Sequence, residues 1–302
     1  FSIRYLLAII NDKNKFDLIH LQHPDPFSAI TIIFSKILKP RLKIMITWHA
    51  DIYSSYIYVA PILFLLDLIL YIFAKKIIFF TPAHLKTSFI NKLFFLKKKI
   101  EIIPFCLDLK IQTNNHIRKK GLKQQKTINV ISIGRLVKYK GYEYAIDAFK
   151  RLEKNVNYRI IGGGPLMKDL KELINLNKLD NRVFLEGEVD EAKKNQLLSN
   201  ADIFLFPSIS SSEAYGIVQI EAMAYGLPII NTFINNGVNF LVPPDVGITC
   251  KKKNSLELNN AIKKLIINET FYIEKSLRSI NNLSRFKINS MIKEYTKIIN
   301  KI

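Results

Sequence analysis

The chain has 302 residues, 45 Lys and Arg against 25 Asp and Glu, a net charge of +20, and a hydrophobic share of 49%. That length and balance suit two globular domains with cores of their own and exclude a disordered, fibrous or disulfide-stapled chain. Cys106 and Cys250 stand without a CxxC spacing, so there is neither a disulfide framework nor a zinc signature, which fits a reducing compartment. Residues 1–110 carry 15 basic and 7 acidic side chains and the rest carry 30 and 18, so both halves favour anionic partners such as phosphorylated ligands or acidic lipid. A Lys-, Ile- and Asn-rich genome gives the same excess without any partner. Nucleic acid is not expected, because the aromatics are not interleaved with the basic residues as a base-stacking surface needs.

In chain order, four short apolar runs read as strands of a parallel sheet: "FDLIHLQ" (16–22), "KIMITWH" (43–49), "IIFFT" (77–81) and "IEIIPF" (100–105). Between the second and third lies "YIYVAPILFLLDLILYIFAKKIIFF" (56–80), which nearly reaches the length of a bilayer span. Pro61 and Asp67 interrupt it, and a carboxylate at mid-bilayer costs about 2.5–3.5 kcal/mol, so the stretch reads as a buried or membrane-grazing helix followed by a strand. With "KLFFLKKK" (92–99) it offers a peripheral contact to an acidic membrane surface; core packing beside a solvated lysine run is the other reading.

Residues 108–127 are polar and aperiodic and read as a linker. A second alternation follows: strand "INVISIG", helix "YEYAIDAFKRL" with Tyr142, Ile146 and Phe149 on one face, and strand "YRIIGGG". Next come helix "PLMKDLKELINLNKL" with Pro165 at a favoured first position, strand "RVFLEG", helix "EAKKNQLLSNA", strand "DIFLFPS", helix "IVQIEAMAY" and strand "PIINT". Two such βαβ series joined by a linker predict an α/β protein with two Rossmann-like, doubly wound domains facing a cleft. The expected boundaries are 1–107, 108–285, and a terminal amphipathic helix at 286–302.

Two motifs carry the chemistry. In "SSEAYGIVQIEAMAYGLPII" (211–230) the helix is expected to begin near Gly216, with Glu213 in the loop ahead of it and Glu221 in its second turn. Were both helical, a spacing of eight would set them about 80° apart and about 12 Å along the axis. A helix start with unpaired N–H groups seats phosphate, and a ribose with two hydroxyls suits a half-buried glutamate. Capping by Glu213 and a buried ion pair for Glu221 is the plain structural reading. In "ISIGRLVKYKGYEYAI" a strand ends at Gly134, and Arg135 and Lys140 project from the loop beyond it, where open α/β sheets bind ligands. Two cations meeting one helix start suit a diphosphate. "IGGGPL" lacks the GxGxxG spacing and is expected to turn tightly beside the site.

Together, "GRLVKYKG", "GGGPL", "VFLEG", "ADIFLFPS" and E-x7-E in "SEAYGIVQIEAMAYGLPIINT" resemble the family-4 retaining glycosyltransferases of the GT-B fold. The likeness is dense in the C-terminal half and looser in "DLIHLQHPDPFSAI" and "ITWHADI". It implies that Gly134, Arg135 and Lys140 hold the diphosphate of a nucleotide-sugar and Glu221 accepts from the ribose. Glu213, with the amides of Gly216, Ile217 and Val218, would face the sugar and its phosphate, and His49 would reach the sugar from the N-terminal domain. A strand-end histidine bonded to a nearby carbonyl is the alternative for His49. The final helix would cross back to the N-terminal domain. No cofactor or metal is expected: fixed cations and amide dipoles suffice for the leaving diphosphate, and the chain has no Asp-x-Asp.

Relatives of this kind open with a strand and a glycine-rich loop that this chain lacks, so the N-terminal domain is expected to be incomplete. The resemblance implies a cytoplasmic enzyme at the inner face of the membrane, taking a nucleotide-sugar donor and a lipid-linked or polysaccharide acceptor for bacterial surface glycans. A remnant that binds donor without turnover, or another Rossmann nucleotide-binding protein, is the competing reading; the lack of GxGxxG and of GxxxxGK[ST] counts against the last.

Overall fold

The computed structural model describes residues 16–49, 58–108, 120–213, 215–234 and 237–302. The opening stretch and most of the expected linker lie outside them. The chain divides into two compact units, Phe1–Phe105 with Asn289–Ile302, and Cys106–Ile288.

The first unit has a parallel four-stranded sheet in the order β1 (Leu18–His23), β2 (Lys43–Trp48), β3 (Lys76–Phe79), β4 (Ile100–Ile102). Its strands are near-continuous apolar runs because both faces are covered. Ile44, Ile46 and Trp48 turn to one face, against α1 (Pro26–Leu38) and α2 (Ala60–Phe73). Met45 turns to the other and joins Ile78, Ile103 and Ile298 of the terminal helix α11 (Ile288–Ile299). The period-2 side-chain alternation of a strand thus serves two layers from one sequence. Local signals place the helix ends. Asp25 caps α1 by accepting from the amides of Phe27 (3.1 Å) and Ser28 (3.3 Å), with Pro26 as the first helical residue. The carboxylate that interrupts α2 is turned inward: Asp67 is buried, its Oδ2 3.5 Å from His23 Nε2, and the His23 ring stacks on Trp48 at 4.3 Å. Among the described residues no helix is long and apolar enough to cross a membrane.

The second unit has a six-stranded parallel sheet in the order β10-β9-β8-β5-β6-β7. These strands are β5 (Ile128–Ile133), β6 (Val156–Ile161), β7 (Val183–Gly187), β8 (Ile203–Phe206), β9 (Ile229–Thr232) and β10 (Ile248–Cys250). After β7 the chain returns to the other side of β5, so β5 is flanked by β6 and β8. That strand-order reversal is the point at which open α/β sheets bind ligands. The interleaved helices are α4 (Tyr142–Phe149), α5 (Met167–Leu176), α6 (Glu191–Ser199), α7 (Val218–Ala224) and α8 (Gly237–Leu241). Tyr142, Ile146 and Phe149 are all buried in the core, as their spacing predicts.

Three details differ from expectation. Pro165 sits in a turn, and α5 starts two residues later at Met167. α7 starts at Val218, so Glu221 lies in its first turn rather than its second. Strand β10 and the helices α9 (Ser255–Ile267) and α10 (Glu269–Asn282) carry no motif and escape the sequence reading. Both cysteines are buried thiols outside any disulfide among the described residues, and burial pushes the Cys250 thiol up to about 12.

One buried histidine makes the first unit acid-sensitive. His84 lies in the short helix α3 (Pro82–Thr87) near Phe79 and Phe80, and its Nδ1 has no hydrogen-bond partner among the described residues. Burial first, then the neighbouring His49, lowers its pKa from 6.5 to about 4. The folded pKa lies below the unfolded one, so the unfolded chain takes the proton more readily. Stability is therefore lost as pH falls from about 6.5 toward about 4. Between about pH 7 and about pH 5 this group is expected to remove on the order of 2 kcal/mol, read from urea unfolding of the first unit. His84→Phe should flatten most of that slope; an unchanged slope would assign the acid sensitivity elsewhere.

Candidate functional site

The site is built where the loops after β5 and β8 meet, side by side at the strand-order reversal. The β5 loop runs through Gly134, Arg135, Lys140 and Gly141 into α4, and the β8 loop through Ser208, Glu213 and Gly216 into α7. They are stitched by the amide of Ile209, which donates to the carbonyl of Tyr139 at 2.8 Å. Close approach is possible because key positions lack a side chain. A Cβ on Gly162 would fall 2.2 Å from the Gly134 carbonyl oxygen, and one on Gly141, at φ +66°, 2.4 Å from that of Pro207. The first contact explains the "GGG" turn after β6: it lies directly under the β5 loop, where Leu136 N donates to Gly163 O at 2.8 Å.

At the centre, the Lys140 ammonium donates to the Glu213 carboxylate. Both side chains are about nine-tenths buried, at 11% exposure each. Ser208 Oγ adds a 3.3 Å bond to the same oxygen, Glu213 Oε2. The Lys140 amine also lies 5.1 Å from the ring centre of Phe206 and 5.6 Å from that of Tyr139. It stands over Gly134, whose added Cβ would come within 3.1 Å of Nζ. Tyr142 OH closes this corner by donating to the Gly134 carbonyl at 3.1 Å. Arg135 is exposed and has no ion-pair partner among the described residues. The Tyr139 phenol feels both charges: burial chiefly raises its pKa, the Glu213 carboxylate raises it further, and the Arg135 guanidinium opposes them.

Glu221 has a separate partner. Its Oε2 lies 3.2 Å from Lys194 Nζ on α6, and that ammonium also reaches Glu191 at 3.0 Å. Burial lowers the Lys194 pKa, but the two carboxylates outweigh it and the net shift is upward. Ahead of α7, Gly216 adopts φ +78°, a left-handed value that favours glycine. The amides of Gly216, Ile217 and Val218 have no acceptor among the described residues. Gln219 is fully buried and ties α7 to β9, its Oε1 accepting from Asn231 Nδ2 at 3.1 Å.

The sequence-selected residues of the second unit therefore fall into three groups. Gly134, Lys140 and Glu213 are in direct contact, with Arg135 on the same loop and acting on the same phenol. Gly216, Ile217 and Val218 form the turn between the two glutamates. Glu221 faces α6. Glu213 does not cap α7, whose preceding residue is Ile217 with no side-chain cap. His49 belongs to the first unit, just past β2: its Nε2 is 2.8 Å from Gln22 Oε1, and its ring centre is 5.0 Å from that of Phe80. Its partner is thus the carbonyl oxygen of a side-chain amide. Burial first, then the nearby His23, holds its pKa below the ordinary histidine value. Gln22 in turn reaches His20 at 3.2 Å, and His20 reaches Thr47 at 2.7 Å. Ser208, Tyr139 and Lys194 escape sequence reasoning; Ser208 follows "FLFP" at a strand end, but Lys194 looks like any lysine of a charged helix. A separate concavity of about 450 Å³ by Asn129, Arg159 and Gln196 holds none of the residues selected from sequence. No metal-binding group of three His, Cys, Asp or Glu occurs among the described residues.

The sequence profile of the group 1 glycosyl transferases matches residues 113–285, more than half of the chain. The chain belongs to that family. An O-antigen chain mannosyltransferase C from Escherichia coli is 26% identical over 308 residues, covering 99% of this chain and 79% of its own. An uncharacterised glycosyltransferase from Haemophilus influenzae is 28% identical over 190 residues, 62% of this chain and 53% of its own. The chain thus spans about half of that relative's length. The crystal structure of Anabaena Alr3699/HepE in complex with UDP superposes with a TM-score of 0.81 at 20% identity, over 99% of this chain and 82% of that one. The fold is GT-B.

The central ion pair has a measurable consequence. Lys140→Met removes the cation that faces the buried Glu213 carboxylate, and should cost the second unit about 3 kcal/mol. Adding Glu213→Gln should recover part of the loss, giving a coupling of about 1–3 kcal/mol in urea unfolding of the four proteins. Strictly additive losses would mean that the two groups do not stabilise one another.

Proposed function

We propose that the chain is a retaining glycosyltransferase that moves a sugar from a nucleotide-sugar to a lipid-linked or polysaccharide acceptor of a bacterial surface glycan, at the cytoplasmic face of the membrane. The observation that carries this reading is the contact of Lys140 with Glu213, with Arg135 on the same loop as Lys140, at the strand-order reversal of a group 1 glycosyl transferase domain. The O-antigen relative supports the acceptor class. The UDP held by the Anabaena protein supports a nucleoside diphosphate as the leaving group.

In the reaction, the bond between the sugar C1 and the phosphate oxygen breaks, and its electron pair leaves on the diphosphate. An acceptor hydroxyl bonds to C1 on the same face and gives its proton to an oxygen of that phosphate. Charge grows on the diphosphate, so cations fixed beside it lower the barrier. Arg135 suits two phosphate oxygens at once, and Lys140 supplies a point charge over Gly134. The amides of Gly216 to Val218 add donors, and Glu221 accepts from the ribose. The reading assigns the neutralisation to these groups rather than to a metal, in keeping with the missing Asp-x-Asp.

Without donor, Lys140 is held by Glu213. Diphosphate binding then exchanges one anion for another at Lys140 and frees Glu213 to accept from the sugar hydroxyls. This exchange gives an asymmetric prediction. Glu213→Gln should bind UDP or GDP several-fold more tightly, because the competing anion is gone, while transfer falls by about a hundredfold. Lys140→Ala and Glu221→Ala should both weaken donor binding, by roughly tenfold or more. Calorimetric titration and transfer assays with the same proteins check each value; weaker UDP and GDP binding by Glu213→Gln would end the exchange.

The function itself is tested by incubating the purified chain with labelled UDP- and GDP-sugars and a bacterial membrane extract. Labelled product with the donor's anomeric configuration supports it. Donor bound without product leaves the binding-only alternative, and no bound donor overturns both.

A further inference from the structure

At the carboxyl side of the first unit's sheet, β1 and β2 set polar side chains beside one another. Gln22 pairs with Thr47 and His20 with Met45, and the ladder continues one bond further, His49 N donating to His23 O at 2.8 Å. Side chains alternate along a strand, so His20 and Gln22 share with Met45, Thr47 and His49 the face that α11 covers.

Two imidazoles flank one amide there. His49 Nε2 lies 2.8 Å from Gln22 Oε1, and Gln22 Nε2 lies 3.2 Å from His20 Nε2. His20 Nε2 is also 2.7 Å from Thr47 Oγ1, which is 3.2 Å from Tyr295 OH. Among the described residues these five side chains make no other side-chain hydrogen bond.

The row has one direction. A phenol is a stronger donor than an aliphatic hydroxyl, so the Tyr295 O–H goes to Thr47 Oγ1 and the Thr47 O–H goes on to His20 Nε2. Thr47 is 1% exposed, so its proton has no water to turn to. His20 Nε2 is therefore a bare nitrogen, and the ring carries its proton on Nδ1. The amide end that faces a bare nitrogen is the NH2, which leaves Oε1 for His49. An oxygen there requires an N–H opposite, so His49 is protonated on Nε2 and its Nδ1 is bare. Burial first, then His49, lowers the His20 pKa, and burial and then His23 lower that of His49, so both rings are neutral near pH 7. The titratable groups that face them are each other, His23 of β1 with Asp67 of α2 behind it at 3.5 Å, His84 of α3 and Tyr295 of α11.

We propose that Gln22 is a positioning residue: it fixes His49 and His20 in opposite tautomers and so presents His49 Nδ1 as a hydrogen-bond acceptor for a ligand hydroxyl. A neutral imidazole with its bare nitrogen outward suits a hydroxyl-bearing ligand and not a phosphate, which needs N–H donors. Only the nature of that ligand, a sugar hydroxyl, rests on the transfer proposed above; the tautomers belong to the first unit alone. The terminal helix takes part, because its Tyr295 supplies the first donor of the row.

Long-range nitrogen–proton spectra of the full chain, labelled in histidine and held at about pH 8 where imidazole is neutral, read the tautomers directly. His49 should carry its proton on Nε2 and His20 on Nδ1. Gln22→Ala should turn His49 into a mixture of the two forms. Gln22→Glu puts an oxygen at both ends, so His49 should keep its tautomer while His20 moves its proton to Nε2. Gln22 is exposed, so neither change disturbs packing. In transfer assays Gln22→Ala should lower kcat about tenfold with donor affinity within about twofold, and Gln22→Glu should restore most of the loss. The added carboxylate favours the charged imidazole and raises the His49 pKa, so the acid limb of that variant's pH profile should move up by about one unit. The same tautomer on both histidines, the reverse pair, or a His49 spectrum unmoved by Gln22→Ala would overturn the proposal, as would an unchanged kcat in Gln22→Ala. A chain that transfers no sugar but shows the opposite tautomers would remove the proposed function and leave the row standing.

Discussion

Lys140 and Glu213 neutralise each other where little water reaches, and the second unit is arranged so that they can. A lone buried ion of either sign would be costly, and together they form a neutral pair with Ser208 as a further donor. The contact requires β5 and β8 to be neighbours, although about seventy residues separate them in the chain. It also requires the loops beyond those strands to approach at backbone distance, which the missing side chains of Gly141 and Gly162 permit. Sheet order, tight turns and site chemistry are thus one constraint. A change in any of them moves the ammonium away from the carboxylate.

The same constraint separates two glutamates that look equivalent in the sequence. Glu213 comes from an irregular loop and meets the cation of the neighbouring crossover. Glu221, eight residues on, is carried by α7 toward α6 and meets Lys194, which Glu191 also holds. One carboxylate shares its cation with a serine contact in a nearly dry corner. The other belongs to a three-charge group that is partly solvated. Environment rather than residue type therefore sets the two carboxylates apart.

In the first unit the parallel sheet separates two chemistries by its own polarity. Polar groups gather at the carboxyl side, where His49, Gln22, His20 and Thr47 are linked in a row that ends at the phenol of Tyr295 on α11. Charged groups gather at the amino side, where Lys43 and Lys76 open β2 and β3, Asp17 precedes β1 and Lys99 precedes β4. Such sorting follows from chain direction, since residues that precede parallel strands all lie on one edge.

Much of this was legible without coordinates. Alternating apolar runs and helical stripes determine two parallel α/β sheets. "GRLVKYKG" and E-x7-E mark the loops that carry the site, because strand ends, glycine turns and helix starts are local events written in adjacent residues. The helix ends were less legible: Pro165 and the start of α7 shifted by two residues because turn hydrogen bonds, not propensity, set them. Strand β10 and helices α9 and α10 were missed because they bury ordinary apolar residues and carry no motif. What only the tertiary structure decided was pairing: which lysine meets which glutamate, that Gln22 holds His49, and that Thr47 joins His20 to Tyr295. Spacing along a chain determines which face a side chain takes, but its partner comes from a distant segment, and only the folded sheet brings the two within a few ångströms.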